Sequence, residues 1–124
     1  MKHEEDTICK NLIKWFDLQY PQLSALFMHI PNGGKRSKIE GAKFKAMGVR
    51  RGVPDYFLAI PKHPYSGLWL EVKSKKGRLS PPQKTMISQL VDQGYSVAVG
   101  YGFTECRQII MQYLAQEKTN GNTM

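Results

Sequence analysis

The sequence predicts a mixed α/β domain, one sheet flanked by helices in the order α-β-α-β-β-α-β-α, on three observations. Amphipathic segments with helical spacing alternate with short apolar runs of strand length. Capping signals, proline and glycine mark where the segments begin and end. The 124 residues suffice for one core and not for two.

Each element follows from its residues. In the first helix, Glu4 to Leu18, the residues Ile8, Leu12, Trp15 and Phe16 recur on one face, and Glu4, Glu5 and Asp6 crowd the first turn, where the helix dipole favours acids. Pro21 ends that region. LFMHI (Leu26 to Ile30) is a short strand, and PNGGKR after it is a turn-rich loop. A second helix, Ser37 to Met47, starts on a Ser37–Glu40 capping box and stops at Gly48; its faces are basic, which places it at the surface. VRRGVP is an extended connector. DYFLAI (Asp55 to Ile60) and LWLEVK (Leu68 to Lys73) are strands joined by the hairpin-type loop PKHPYSG. Ser80, Pro81 and Gln83 are start signals for a third helix, with Met86, Ile87, Leu90 and Val91 as its stripe and Gly94 as its stop. YSVAVG (Tyr95 to Gly100) is the last strand. Thr104 opens a final helix carrying Ile109, Ile110, Tyr113 and Leu114. A single domain over residues 1–117 with a polar tail over 118–124 is expected.

Composition narrows the function. An apolar share of 41% and a charged share of 23% exclude a disordered chain, and no apolar run reaches membrane-helix length. MKHEED lacks an apolar leader core, so a cytoplasmic location is expected. Cys9 and Cys106 read as reduced thiols, and His3, His29 and His63 lack zinc-ligand spacing. The net charge of +8 favours a polyanionic partner, nucleic acid before membrane. Between Lys35 and Arg51 stand seven bases (Lys35, Arg36, Lys38, Lys43, Lys45, Arg50, Arg51) and one acid, Glu40; a second cluster, with Lys75, Lys76 and Arg78, follows Lys73. A solvated basic face is the plainer account of such runs.

Three charged residues stand out against apolar strands. Alternation puts Trp69, Glu71 and Lys73 on one face and Leu68, Leu70 and Val72 on the other. If the two strands pair as a hairpin, Asp55 and Glu71 can lie close on one face. Two neighbouring carboxylates repel and call for a cation, and hard oxygen donors suit Mg²⁺ or Mn²⁺. Such an ion polarises a phosphodiester and acidifies a bound water, while Lys73 orients that water or stabilises charge growing on phosphorus. The competing reading is a salt-bridged patch on a half-exposed sheet, since E-x-K alone occurs by chance.

PD followed by E-x-K on the next strand resembles the PD-(D/E)xK nuclease superfamily. HIPNGGKRS, KAMGVRRGVPD and LEVKSKKGRLSPPQ resemble its VRR-Nuc branch, whose name echoes Val49-Arg50-Arg51. The resemblance covers about Glu4 to Leu114 and implies a restriction-endonuclease-like sheet. It implies Asp55, Glu71 and the Val72 backbone carbonyl as metal ligands, Lys73 as catalytic lysine and Gln83 as a site glutamine, although a capping box alone also accounts for Gln83. It adds an acid of the first helix to the metal site, Glu5 in preference to Glu4; dipole compensation is the alternative there. The chain departs from the family in having Cys9 four residues later, where glutamine is frequent.

The resemblance also implies DNA contacts by Asn32, Gly33, Lys35, Arg36, Lys38, Arg50, Arg51, Lys75, Lys76 and Arg78, with the NGG turn presenting backbone N–H groups to phosphate. Contacts of this kind position DNA without reading its sequence. The implied activity is a Mg²⁺- or Mn²⁺-dependent endonuclease acting on branched DNA as a homodimer. Four-way-junction resolution comes first, and flap cleavage or nicking second. No membrane and no organic cofactor are expected. A module that binds DNA or RNA without cutting is the rival from another class.

Overall fold

The computed structural model describes residues 2–31 and 37–116. Four strands form one sheet in the order β1-β2-β3-β4: β1 Phe27–His29, β2 Tyr56–Leu58, β3 Leu68–Lys73 and β4 Ser96–Tyr101. The pairs β1–β2 and β2–β3 are antiparallel, and β3–β4 is parallel. The parallel pair requires a crossover, and the helix α3, Pro81–Asp92, supplies it. Helices α1 (Lys2–Gln19), α2 (Lys38–Ala46) and α4 (Phe103–Leu114) complete the fold.

The core lies on one face of the sheet. Leu58, Leu68, Leu70 and Val72 project from the strands onto Leu12 and Phe16 of α1 and Cys106, Ile110 and Tyr113 of α4, all buried. Phe16, Phe27 and Tyr56 stack in sequence, with centroids 4.6 and 4.7 Å apart, and tie α1 to β1 and β2. Burying each aliphatic side chain contributes on the order of 1.5–3 kcal/mol. The opposite face is covered less completely: α3 buries no residue fully, and Phe57, Trp69 and Tyr95 form a half-buried aromatic cluster there.

The element order agrees with the sequence reading, and β3 agrees to the residue. Local details differ. A 3₁₀ helix, Pro21–Leu26, follows the first helix and takes in Leu26, which was expected to open the strand. Pro21 sits in its first turn, where the missing N–H costs nothing. β2 is shorter than expected, so Asp55 precedes the strand rather than opening it. α4 begins at Phe103, not Thr104: Gly102, at φ +92°, turns the chain, a conformation open to glycine. Val91, assigned to the packed stripe of α3, is 51% exposed. Tyr65 and Tyr101 are exposed, and Trp69 is half-buried.

Candidate functional site

The register of β2 and β3 builds the site. Tyr56 faces Leu70 and Phe57 faces Trp69. Continued by one residue, the ladder places Asp55 opposite Glu71, on the face away from the core. Because β2 has ended, the Val72 N–H has no strand partner there and donates instead to Asp55 Oδ2 at 2.8 Å. On β3, Glu71 is 3% exposed and Lys73 8% exposed. Lys73 Nζ lies 3.4 Å from Glu71 Oε2.

Gln83 joins this group from the first turn of α3. Its Oε1 accepts from the Ser80 N–H at 2.9 Å, and the Ser80 hydroxyl accepts from the Gln83 N–H at 3.3 Å. The same amide donates through Nε2 to Glu71 Oε2 at 3.1 Å. The capping bond and a bond to Glu71 therefore coexist: one end of the amide closes the capping box, which aims the other end at Glu71.

Glu5 of α1 reaches the far end of β3, where its Oε2 accepts from the Ser74 N–H at 3.4 Å. A β-carbon on Gly77 would stand 3.1 Å from that oxygen and 3.1 Å from Lys73 Cδ, so a side chain there would make both neighbours give by a few tenths of an ångström. Glu4 is exposed.

Electrostatics set the state of the carboxyls. Asp55, Glu71 and Lys73 together carry one net negative charge in a water-poor site. Burial first, and the Asp55 charge second, push Glu71 up to about 8, against the opposing pull of Lys73. Burial also raises Asp55, opposed by the Val72 N–H. A hydrogen bond between the two carboxyls raises Glu71 and lowers Asp55, so Glu71 holds the shared proton longer. A pair this costly to ionise gains most from a bound cation. Among the described residues no three His, Cys, Asp or Glu side chains converge on one point. Asp55 and Glu71 could offer two carboxylates to an ion, a hard and sparse donor set. That suits Mg²⁺, which keeps several waters.

The residues expected to contact DNA lie elsewhere. Arg50, Arg51, Lys38, Lys75, Lys76 and Arg78 are exposed, in the connector, α2 and the turn after β3. Asn32, Gly33, Lys35 and Arg36 lie outside the described residues.

Two neighbours of the site carried no role in the sequence reading. His29 Nδ1–H donates to the Asp55 carbonyl at 3.0 Å, beside the Ile30 N–H at 2.7 Å, and the His29 ring lies 5.2 Å from that of Tyr56. A carbonyl only accepts, so the proton sits on Nδ1. Gly52, at φ +82°, runs directly over the Pro82 carbonyl, and a β-carbon there would lie 2.9 Å from the Gln83 nitrogen. The contact docks the connector before Asp55 onto the start of α3. Both residues stand inside the stretches HIPNGGKRS and KAMGVRRGVPD, which was the only signal available.

A mixed sheet that brings Asp, Glu and Lys together across the end of an antiparallel hairpin defines an α/β nuclease-type domain. The comparisons agree. The VRR-NUC domain family matches residues 3–104, and the chain belongs to that family. A solved structure described as a VRR_NUC domain protein superposes with a TM-score of 0.84 at 30% identity, covering 98% of this chain and 96% of its own. A comparison with curated protein sequences finds no match. Among the described residues, no helix is long and apolar enough to cross a membrane.

Proposed function

We propose that the protein is a Mg²⁺- or Mn²⁺-dependent endonuclease that hydrolyses phosphodiester bonds in branched DNA, with four-way junctions its first substrate and a homodimer its working form. One observation carries the reading: half-buried Asp55 meets buried Glu71 and Lys73 on one face of the hairpin, with Gln83 locked onto Glu71. A salt bridge built only for stability would be a poor use of such a site, because the cost of burying charged groups can exceed what their pairing returns.

Asp55, Glu71 and the Val72 carbonyl would hold the ion, with Glu5 beside them. When bound, it supplies Lewis acidity toward the phosphate and a water acidified enough to attack. The remaining tasks belong to the chain. Gln83 fixes the Glu71 carboxylate, so that group is already oriented before substrate arrives. Lys73 Nζ, held next to Glu71, orients the attacking water and donates to the phosphoryl oxygen on which charge accumulates. The Val72 N–H, by holding Asp55 Oδ2, leaves its other oxygen to face the site. Exposed Arg50, Arg51, Lys75, Lys76 and Arg78 grip phosphates on either side and supply affinity without reading bases.

The test is cleavage of an end-labelled four-way junction with Mg²⁺ or Mn²⁺ against an EDTA control. Wild-type protein should cut, and Asp55→Ala and Lys73→Ala should lose at least a hundredfold in rate while binding the junction normally in EDTA. Binding without cutting of any DNA form, over several metals, would instead support a non-catalytic module.

A further inference from the structure

Helix α2 has no part in the site just described, yet its residues are arranged for contact. It buries none of its residues and makes at most marginal contact with any other helix or strand among the described residues. Only Gly41 and Phe44, three apart, are half-buried, and even at Gly41 a β-carbon would meet nothing within 4 Å. The outward face is Ile39, Ala42, Lys43 and Ala46, spaced i, i+3, i+4, i+7, with Met47 at its end. Ile39 is 82% exposed and Met47 69% exposed. The only acid, Glu40, is drawn back to the helix start by the Ser37 N–H at 3.3 Å, which leaves Lys38, Lys43 and Lys45 uncompensated along the helix.

The shape and charge of this face choose among partners. An interfacial membrane helix needs a broad apolar face segregated from its charges. Here nine residues span about 14 Å, and bases alternate with apolar positions. A DNA groove fits better. Small Ala42 and Ala46 permit close backbone approach, lysines reach the flanking phosphates, and Ile39 and Met47 can pack where bases have lost their stacking neighbours. The placement is also right. From Met47 the chain reaches Gly52 in five residues, at most about 18 Å, and Gly52 is docked on the α3 turn that holds Glu71 through Gln83. DNA lying in the site would meet α2 within about five nucleotides at 3.4 Å each.

We infer that α2 is a branch-sensing wedge, entering the opened groove of branched DNA so that Ile39 and Met47, about 12 Å apart along the helix, each cover unstacked bases at the branch while Lys43 and Lys45 hold flanking phosphates. This inference rests on the branched-DNA reading above. It assigns to a helix outside the catalytic group the preference for branched over linear duplex.

The test is binding in EDTA, by fluorescence anisotropy at several salt concentrations, of a four-way junction and of a linear duplex of the same sequence. Ile39→Gln and Met47→Gln are exposed, helix-compatible changes, and melting curves would verify that they leave the fold intact. Each should weaken junction binding about tenfold and duplex binding less than twofold, with an unchanged salt slope. Lys43→Ala should weaken both DNAs and lower the slope by about 0.9. A 2-aminopurine at the branch should brighten on wild-type binding and not with Ile39→Gln.

The inference is overturned if both glutamine variants bind the junction like wild type. It is equally overturned if their only effect is a lower mass in sedimentation, which would give the face to a second copy, or lost binding to phosphatidylserine vesicles, which would give it to a membrane. If wild-type protein binds no DNA at all, this inference and the nuclease reading fall together. If it prefers junctions through Ile39 but cuts nothing, the wedge stands and the nuclease reading falls alone.

Discussion

Glu71 is the residue on which the chemistry and the stability of this protein meet. It is buried beside Asp55, Lys73 and Gln83, and its carboxyl is held well above the ordinary range. A carboxyl whose folded-state value is raised keeps its proton better in the folded protein than in the unfolded chain. Its stabilising contribution is therefore complete below about pH 4.5 and is lost as pH rises through about 8. Asp55 shifts in the same direction and adds to the trend. Thermal melts of metal-free protein should show a midpoint that falls between about pH 5 and pH 8. Glu71→Gln should flatten that slope, and Mg²⁺ should restore the wild-type midpoint more at pH 8 than at pH 5, because the ion replaces the proton. A wild-type midpoint that rises over this interval would contradict the assigned environment. Cys9 and Cys106 are raised to about 11 and about 12, mainly by burial, so neither is a thiolate at neutral pH.

At the level of elements, the start of α3 is the part most exposed to mutation. Ser80→Ala removes the acceptor for the Gln83 N–H and should cost about 1 kcal/mol of stability with a modest effect on cleavage. Gln83→Ala removes the acceptor for the Ser80 N–H and the bond to Glu71 together while leaving the Ser80 cap bond in place, so it should cost no more stability than Ser80→Ala and far more activity. The comparison of the two variants by denaturant melts and cleavage rates separates capping from site support. Equal losses of activity would mean that the bond to Glu71 contributes nothing. Gly52→Ala should be worse than either. Its left-handed backbone disfavours a β-carbon, and that carbon would press on the Pro82 carbonyl and shift the turn that carries Gln83. We expect a stability loss above 1 kcal/mol and a parallel fall in cleavage. An unchanged rate would show that the connector and α3 are not coupled.

For the whole molecule, a charge of +8 on 124 residues sets how it meets its substrate. Duplex binding should be independent of sequence and fall steeply with salt, and the double change of Arg50 and Arg51 to Ala should lower the log–log slope by about 1.8 if both contact phosphate. The fold and the meeting of Asp55, Glu71 and Lys73 were legible in the sequence, the second because it follows from period-2 alternation. Leu68 to Lys73 displays core on one side and charge on the other, and the observed register with its predecessor sets Asp55 beside Glu71. The bond from Glu5 to the Ser74 N–H, the His29 hydrogen bond to Asp55 and the close pass of Gly52 over Pro82 were not legible. Each joins elements distant in the chain, and no local periodicity encodes such a meeting. Glycines 52 and 77 were visible as glycines, but what they make room for appears only in three dimensions. The most direct test of the account is anomalous diffraction from crystals soaked in Mn²⁺. Density bridging the Asp55 and Glu71 carboxylates, abolished in Asp55→Asn crystals, is the predicted result. A carboxyl pair still closed on itself, with Lys73 against Glu71 and manganese bound elsewhere or nowhere, would contradict it.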